Sequence, residues 1–307
     1  MFRYDHRLLQ EDEILGGTQT STVYAYSKYP QDDRWAVKHV HASNMEMMGR
    51  YLGEIVLGFS FDHPALLPIR GYHIEEQEKP RAWNIYMKMP RMQGTMSDII
   101  KSCRDNNDYI PKKQIIKYFH TLVSGLDYLH QKKIAHRDIK LTNVLFDKKG
   151  DIKLADIGIG KYVPDGEDMS MVSSRAGSQM YAAPEMLDMT QSVRKMNIYK
   201  ADCWSLGLLM LELCTLRHPI RTGLNELVEY IDKELQNVET RYGAVLKNLI
   251  LCLVQLKPGQ RKSMSEVKEI LENEFAETLG LAGLANSVWS LNSSILMIIE
   301  NFFNSMK

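Results

Sequence analysis

Apolar and polar residues alternate over residues 7–40, with glycine and threonine at the bends, which predicts three antiparallel strands. The period lengthens to a helical one over 44–60, then shortens again over 66–89 around RGYHI and AWNIYMKM. After Pro90 the chain is mostly helical in pattern. In KKQIIKYFHTLVSGLDYLH (112–130), Ile115, Phe119, Leu122, Leu126 and Leu129 fall on one face. Further helices are expected at about 201–216, 224–235, 243–256 and 263–275, the last opened by a capping-box pattern from Ser263 to Glu266. A small β-rich lobe with one main helix therefore precedes a larger, mostly helical lobe: an α+β, bilobal chain hinged near Lys88–Arg91. Ligand pockets favour the crevice between such lobes. In residues 279–307, Leu291, Ile295, Ile298, Ile299 and Phe302 share one helical side, either an extra helix packed on the large lobe or a partner-binding or membrane-surface helix, the near absence of Lys and Arg arguing against an anionic-lipid anchor.

Length and composition narrow the picture modestly. The 307 residues, 44% of them hydrophobic, suit one large domain or two small ones. Lys plus Arg number 38 and so do Asp plus Glu, so no charge excess points to nucleic acid or an anionic membrane. Cys103, Cys203, Cys214 and Cys252 are scattered, with no C-x-x-C pair, and read as reduced thiols in the cytoplasm or nucleus. The stretch MFRYDHRLLQEDE is too charged for a signal peptide. No run approaches the ~18–20 apolar residues of a membrane span.

The chemistry concentrates in HRDIKLTNVLFDKKGDIKLADIG, His136 to Gly158. It sets Asp138 and Asp156 on either side of a short strand–turn–strand, with the amide of Asn143 after the first. Phosphoryl transfer needs such a set: one carboxylate to accept the proton of an incoming hydroxyl, and a carboxylate and an amide oxygen to hold magnesium against triphosphate charge. HRDIKLTN resembles the catalytic loop of the eukaryotic protein kinases, H-R-D-x-x-x-x-N, and LADIG resembles their magnesium-binding D-F-G. The resemblance implies Asp138 as the base, Lys140 as the neutraliser of the transferring phosphoryl oxygens, and Asn143 and Asp156 as Mg2+ ligands. Lys140 resembles Ser/Thr-specific members. Ile157 stands where the family has Phe, which leaves the metal carboxylate untouched and bears on regulation.

LGGTQTSTVYAY, Leu15 to Tyr26, aligns with the family's phosphate-covering loop at Gly16, Thr18, Ser21 and Val23. The first glycine alone is kept in register, so an ordinary Thr-rich hairpin is the competing reading. By the resemblance, Leu15, Gly16, Gly17, Thr18, Ser21 and Val23 cover the ATP, Val23 and Ala36 lie above its adenine and Leu145 below. Ala36-Val37-Lys38 resembles the V-A-I-K strand, so Lys38 would contact the α- and β-phosphates and pair with Glu54, with Glu46 the rival partner. Met87 would be the gatekeeper behind the adenine, and backbone near Met89 would bond it.

GSQMYAAPE resembles the close of a kinase activation segment, with Ser178 near the catalytic groups. Ser173 or Ser174, with Ser170 less favoured, would be phosphorylated by an upstream activating kinase and pair with Arg137 and Lys161. Asp202 in D-x-W-S-x-G would fix the catalytic loop backbone, and Glu185 and Arg261 match a buried ion pair of the family. The resemblance spans 8–275 (small lobe 8–89, large lobe 90–275), with 276–307 a helical extension. It implies a serine/threonine kinase acting on protein substrates with ATP and Mg2+. The alternative is a pseudokinase scaffold, favoured by the altered glycine loop and the DIG motif.

Overall fold

The computed structural model describes residues 9–18, 20–26, 34–78, 81–157, 161–162, 167–168, 179–187, 196–219 and 223–281. The small lobe is one antiparallel sheet. Strands β1 (Leu9–Thr18), β2 (Ser21–Tyr26) and β3 (Trp35–Ala42) lead into helix α1 (Met45–Ser60). Strands β4 (Gly71–Glu78) and β5 (Arg81–Pro90) follow, in the spatial order β1-β2-β3-β5-β4. The predicted strands and helix are thus found, with β4 beginning at Gly71. Asn44 starts α1 because its side chain accepts from the Met47 amide at 2.9 Å, satisfying an orphan donor of the first turn. Ile55 of α1 packs with Val40, Ile69, Trp83, Ile85 and Met87 of the sheet and its flank. Gly58 is what permits this approach: a Cβ there would lie 2.6 Å from Ile69 Cδ1.

Past the hinge come β6 (Gly94–Thr95), α2 (Met96–Asp105), α3 (Lys112–Gln131), β7 (Ile134–Ala135), β8 (Val144–Phe146) and β9 (Ile152–Leu154). The short strands β10 (Lys161–Tyr162) and β11 (Glu167–Asp168) pair with β7 and with β12 (Met196–Asn197), and α4 (Pro184–Leu187) precedes β12. The large lobe ends with α5 (Ile198–Thr215), α6 (Leu224–Tyr242), α7 (Ala244–Leu251), α8 (Met264–Glu274) and α9 (Ala276–Leu279). All five apolar residues predicted on the face of α3 are 0% exposed. Helix α5 is apolar around most of its circumference and runs through the core with Trp204 fully buried, as an all-round apolar helix must. Two helix limits differ from expectation. Helix α6 runs on past residue 235 because Val238 and Tyr242 continue the stripe of Ile231 and Leu235 through a polar stretch. Helix α7 stops at Leu251, where the Leu253 amide turns back to the Ile250 carbonyl at 3.0 Å.

The predicted helical face within 282–307 lies outside the described residues. All four cysteines are free thiols. Among the described residues no helix is long and apolar enough to cross a membrane.

Candidate active site

Lys38 projects from β3 between two carboxylates on different lobes. Its Nζ lies 2.7 Å from Glu54 Oε1 on α1 and 3.1 Å from Asp156 Oδ1 beyond β9. Glu54 is therefore the partner, while Glu46, the rival, is exposed and pairs with Arg50 one turn on. Burial alone would push Lys38 towards neutrality, yet the two carboxylates outweigh it and hold the ammonium above its ordinary range. The same burial raises Glu54, with Lys38 opposing and Asp156 adding to the rise. Asp156 resists its own burial through Lys38 and sits below the usual carboxylate range.

The catalytic loop is a compact cage of hydrogen bonds. Lys140 Nζ donates to Asp138 Oδ2 at 2.7 Å, and Asn143 Nδ2 donates to the same oxygen at 2.9 Å and to the Asp138 carbonyl at 2.8 Å. Donation through Nδ2 leaves the Asn143 amide oxygen out of these two bonds. The Asn143 carbonyl accepts from the Ala155 amide at 2.8 Å, which ties this loop to the residue before Asp156. Arg137 and Asp156 both take left-handed backbone, φ 70° and 63°, a strained choice for side-chain-bearing residues that clusters at functional sites.

Asp202, almost wholly buried on α5, holds that strain in place. It accepts the His136 amide at 2.8 Å through Oδ2 and the Arg137 amide at 2.8 Å through Oδ1, and His130 Nε2 reaches Oδ2 at 2.9 Å. The expected link from Asp202 to the loop backbone is therefore present. His136 is completely buried, which lowers its pKa; as a neutral ring its Nε2–H donates to the Ala155 carbonyl at 3.1 Å while Nδ1 accepts from the Asp138 amide at 3.3 Å. Glu185 and Arg261 form the anticipated buried pair, bidentate at 2.6 and 2.7 Å.

The other site residues fall as follows. Gly16, Gly17 and Thr18 of β1 pair with Val23, Thr22 and Ser21 of β2 across a tight hairpin. A Cβ on Gly17 would meet the Ser21 carbonyl at 2.5 Å, so this second, out-of-register glycine is required by the turn. Leu15 is half-buried on β1, one strand over from Val23, which sits opposite Lys38. Ala36 pairs with Met89 and Lys38 with Met87, whose side chain is fully buried behind the lysine. At the hinge the Lys88 carbonyl accepts from the Arg70 amide at 2.8 Å, and Pro90 has no N–H to give. Leu145 on β8 is half-buried beside Thr95 and Lys153. Ser170, Ser173, Ser174 and Ser178 lie outside the described residues. Sequence reading missed Tyr181 and Glu212: the phenol donates to the buried Glu212 Oε2 at 2.5 Å, and His218 Nδ1 meets Oε1 at 2.7 Å. Burial and the neighbouring carboxylate raise the Tyr181 pKa. A Glu inside an apolar helix was the available signal.

Among the described residues no three His, Cys, Asp or Glu side chains cluster as a ready metal cage. One carboxylate and one amide oxygen are nonetheless the donor set magnesium takes when phosphates and water complete its shell, so Asp156 and Asn143 fit it.

A two-lobed fold with a strand lysine bridging a helix glutamate and a loop aspartate, above an aspartate flanked by lysine and asparagine, is the arrangement of the protein kinase class. The description "Protein kinase domain" matches residues 9–275, and the chain belongs to that family. It is 31% identical over 210 residues to the dual specificity protein kinase shkB of Dictyostelium discoideum, covering 66% of this chain and 31% of that protein. It is 27% identical over 271 residues to the serine/threonine-protein kinase Nek5 of Mus musculus, covering 87% of this chain and 40% of the relative. It is 29% identical over 213 residues to mitogen-activated protein kinase kinase 9 of Arabidopsis thaliana, covering 69% and 65%. The chain thus spans less than two thirds of each of these relatives' own length. The family uses ATP, generally with Mg2+.

Proposed function

We propose that this chain is a catalytically competent serine/threonine protein kinase, one kinase domain over residues 8–275 with 276–307 as an extension. It moves the γ-phosphate of MgATP to serine or threonine hydroxyls of protein substrates. The observation that carries the reading is Lys38 drawn 2.7 Å from Glu54 and 3.1 Å from Asp156 while Asp138, Lys140 and Asn143 share one hydrogen-bonded cage. In the reaction the substrate oxygen bonds to the γ-phosphorus as the bond to the β–γ bridging oxygen breaks. Asp138 takes the hydroxyl proton, and Lys140 offsets charge on the transferring oxygens. Lys38, held by Glu54, orients the α- and β-phosphates, under cover of Leu15, Gly16, Gly17, Thr18, Ser21 and Val23. Ala36, Met87, Met89 and Leu145 line the adenine end. When bound, Mg2+ supplies charge neutralisation at the phosphates, and Asp156 and Asn143 would hold it.

Lys140 and the serine/threonine name of the relative Nek5 support aliphatic hydroxyl rather than phenol acceptors. An upstream kinase acting on Ser173 or Ser174 fits the proximity of Arg137 to the base. Four free thiols, two of them fully buried, suit a reducing compartment, cytoplasm or nucleus. The test is ATP-dependent autophosphorylation of the purified chain beside Asp138→Asn, with phosphoamino-acid analysis. The expectation is phosphoserine or phosphothreonine from the native chain and a loss of at least about 100-fold in the variant. Equal, background signal from both would overturn catalysis and leave the pseudokinase scaffold.

A further inference from the structure

The face of the small-lobe sheet turned away from α1 gathers histidine. Side chains alternate along β3, so Lys38 and Val40 point to the α1 side while His39 and His41 stand together on the other. The antiparallel register sets His41 across from Asn84 of β5 and His39 across from Tyr86. Asparagine is a poor strand residue, yet here one stands inside β5 with both imidazoles aimed at its oxygen. His39 Nε2 lies 3.4 Å from Asn84 Oδ1, and His41 Nδ1 lies 3.1 Å from the same atom. The His39 ring is fixed by stacking on Tyr86, centroids 4.6 Å apart and planes 13° from parallel. Tyr86 is steadied in turn, its hydroxyl donating to Glu75 Oε2 of β4 at 3.3 Å. The proposed phosphoryl transfer uses none of these groups.

We propose that His39, His41 and Asn84 form a binding site for a divalent transition-metal ion, of the class of Cu2+, Ni2+ and Zn2+. Spacing and donor chemistry carry the assignment. With bonds of about 2.0–2.1 Å, neighbouring ligands of one ion stand about 2.9 Å apart at a right angle and about 3.4 Å apart at a tetrahedral one. The 3.1 and 3.4 Å from the two nitrogens to the amide oxygen fall within that range, so one ion meets all three donors after small side-chain rotations. Without the ion each ring turns an N–H to Oδ1. With it, each proton moves through solvent to the ring's other nitrogen, and the lone pairs face the metal without any change in the protein's charge. Two imidazoles select this class of ion over Mg2+, which takes oxygen donors, so the site is chemically separate from Asp156 and Asn143. Glu75, directly across from Asn84 on β4, adds a carboxylate beside the ion, and the exposed His41 gives it a path in from solvent. An ion held this way staples β3 to β5 and stabilises the folded chain.

The test uses the full chain without a histidine tag, and its readouts do not depend on catalysis. Electron paramagnetic resonance with one equivalent of Cu2+ should show two imidazole nitrogens on the ion, and excess Mg2+ should leave the spectrum unchanged. Calorimetric titration with Zn2+ should give one site, weaker than that for Cu2+. His39→Gln and His41→Gln should each lower affinity for either ion at least tenfold. Saturating Zn2+ should raise the Tm of the native chain but not that of His41→Gln. His120→Gln, on α3, should change none of these results. Should His39→Gln lose its stack on Tyr86 and fail to fold by circular dichroism, His41→Gln decides. One nitrogen or none on Cu2+, or affinity indifferent to His41→Gln, overturns the proposal and leaves the trio as hydrogen bonds alone. A sulfur ligand in the spectrum also overturns it and assigns the ion to Cys103 or Cys252, the two partly exposed thiols.

Discussion

Asp202→Asn is the sharpest single probe of how the large lobe fixes the reacting groups. Both carboxylate oxygens receive backbone N–H groups at 2.8 Å, and Oδ2 receives His130 as well. An asparagine keeps one acceptor and turns an NH2 towards the other donor. Whichever way the amide lies, a backbone N–H in a nearly water-free place loses its acceptor, at about 1–3 kcal/mol, and the remaining bond loses its charge assistance. The left-handed backbone of Arg137, itself a strain of about 1–3 kcal/mol, is then less firmly opposed. The sum, about 2–6 kcal/mol, is a large part of an ordinary domain's 5–15 kcal/mol, so the variant should fold but melt lower. Asp138 follows Arg137 directly, and a displacement near 1 Å costs on the order of 100-fold in rate. Asp202 touches none of the proposed nucleotide contacts. Urea titration and steady-state kinetics should therefore show a lower midpoint and a kcat down about 100-fold, with MgATP affinity within about threefold. Unchanged kcat, or a loss confined to nucleotide affinity, would refute the reasoning.

Other perturbations separate the remaining parts of the scaffold. Arg261→Met strands the Glu185 carboxylate in the core and should cost about 3–5 kcal/mol, a drop in Tm on the order of 10 °C by calorimetry. Gly58→Ala drives a methyl into Ile69, costing about 1–3 kcal/mol and shifting α1; nucleotide titration should weaken, and adding Ile69→Val should restore part of both. Glu266 is held down to about 2 chiefly by the Ser263 amide and hydroxyl, so its folded pKa lies below its unfolded one. Its stabilisation is full above about pH 5 and fades as pH falls towards 2, so the difference in urea midpoint between native and Glu266→Gln should shrink across that window.

Much of this was legible because the signals were periodic or chemically unusual. The α3 stripe gave five core residues because a helix of that length must bury one face. The loop pointed to Asp138, Lys140, Asn143 and Asp156 because HRDIKLTN and LADIG resemble the kinase catalytic loop and D-F-G, and phosphoryl transfer needs that set of groups. Glu54 was preferred to Glu46 from its place ten residues before Pro64, and Gly58 packed against Ile69 sets the helix phase that turns it to Lys38. Helix α6 was read short because the polar run after Leu235 masked the continuing Val238 and Tyr242. Tyr181 with Glu212 escaped because the pairing joins residues distant in sequence, and only burial reveals that a glutamate inside an apolar helix needs a donor.

The geometry also orders the events at Lys38. Two cations, Lys38 and Lys140, face three carboxylates, Glu54, Asp138 and Asp156, while buried His136 stays neutral, so the cluster carries an excess of one negative charge. Asp156 and Asn143 would hold a divalent cation whose charge would offset that excess, whereas a triphosphate alone would add to it. Of the two bonds Lys38 makes, the one to Glu54 is the harder to break, since that side chain is 8% exposed and would be left as an uncompensated buried charge. The Asp156 side chain is 41% exposed and can exchange its lysine for water or metal at little cost. In the proposed reaction Lys38 therefore keeps Glu54 and releases Asp156. Lys38 would then face the phosphates while Asp156 would hold the cation.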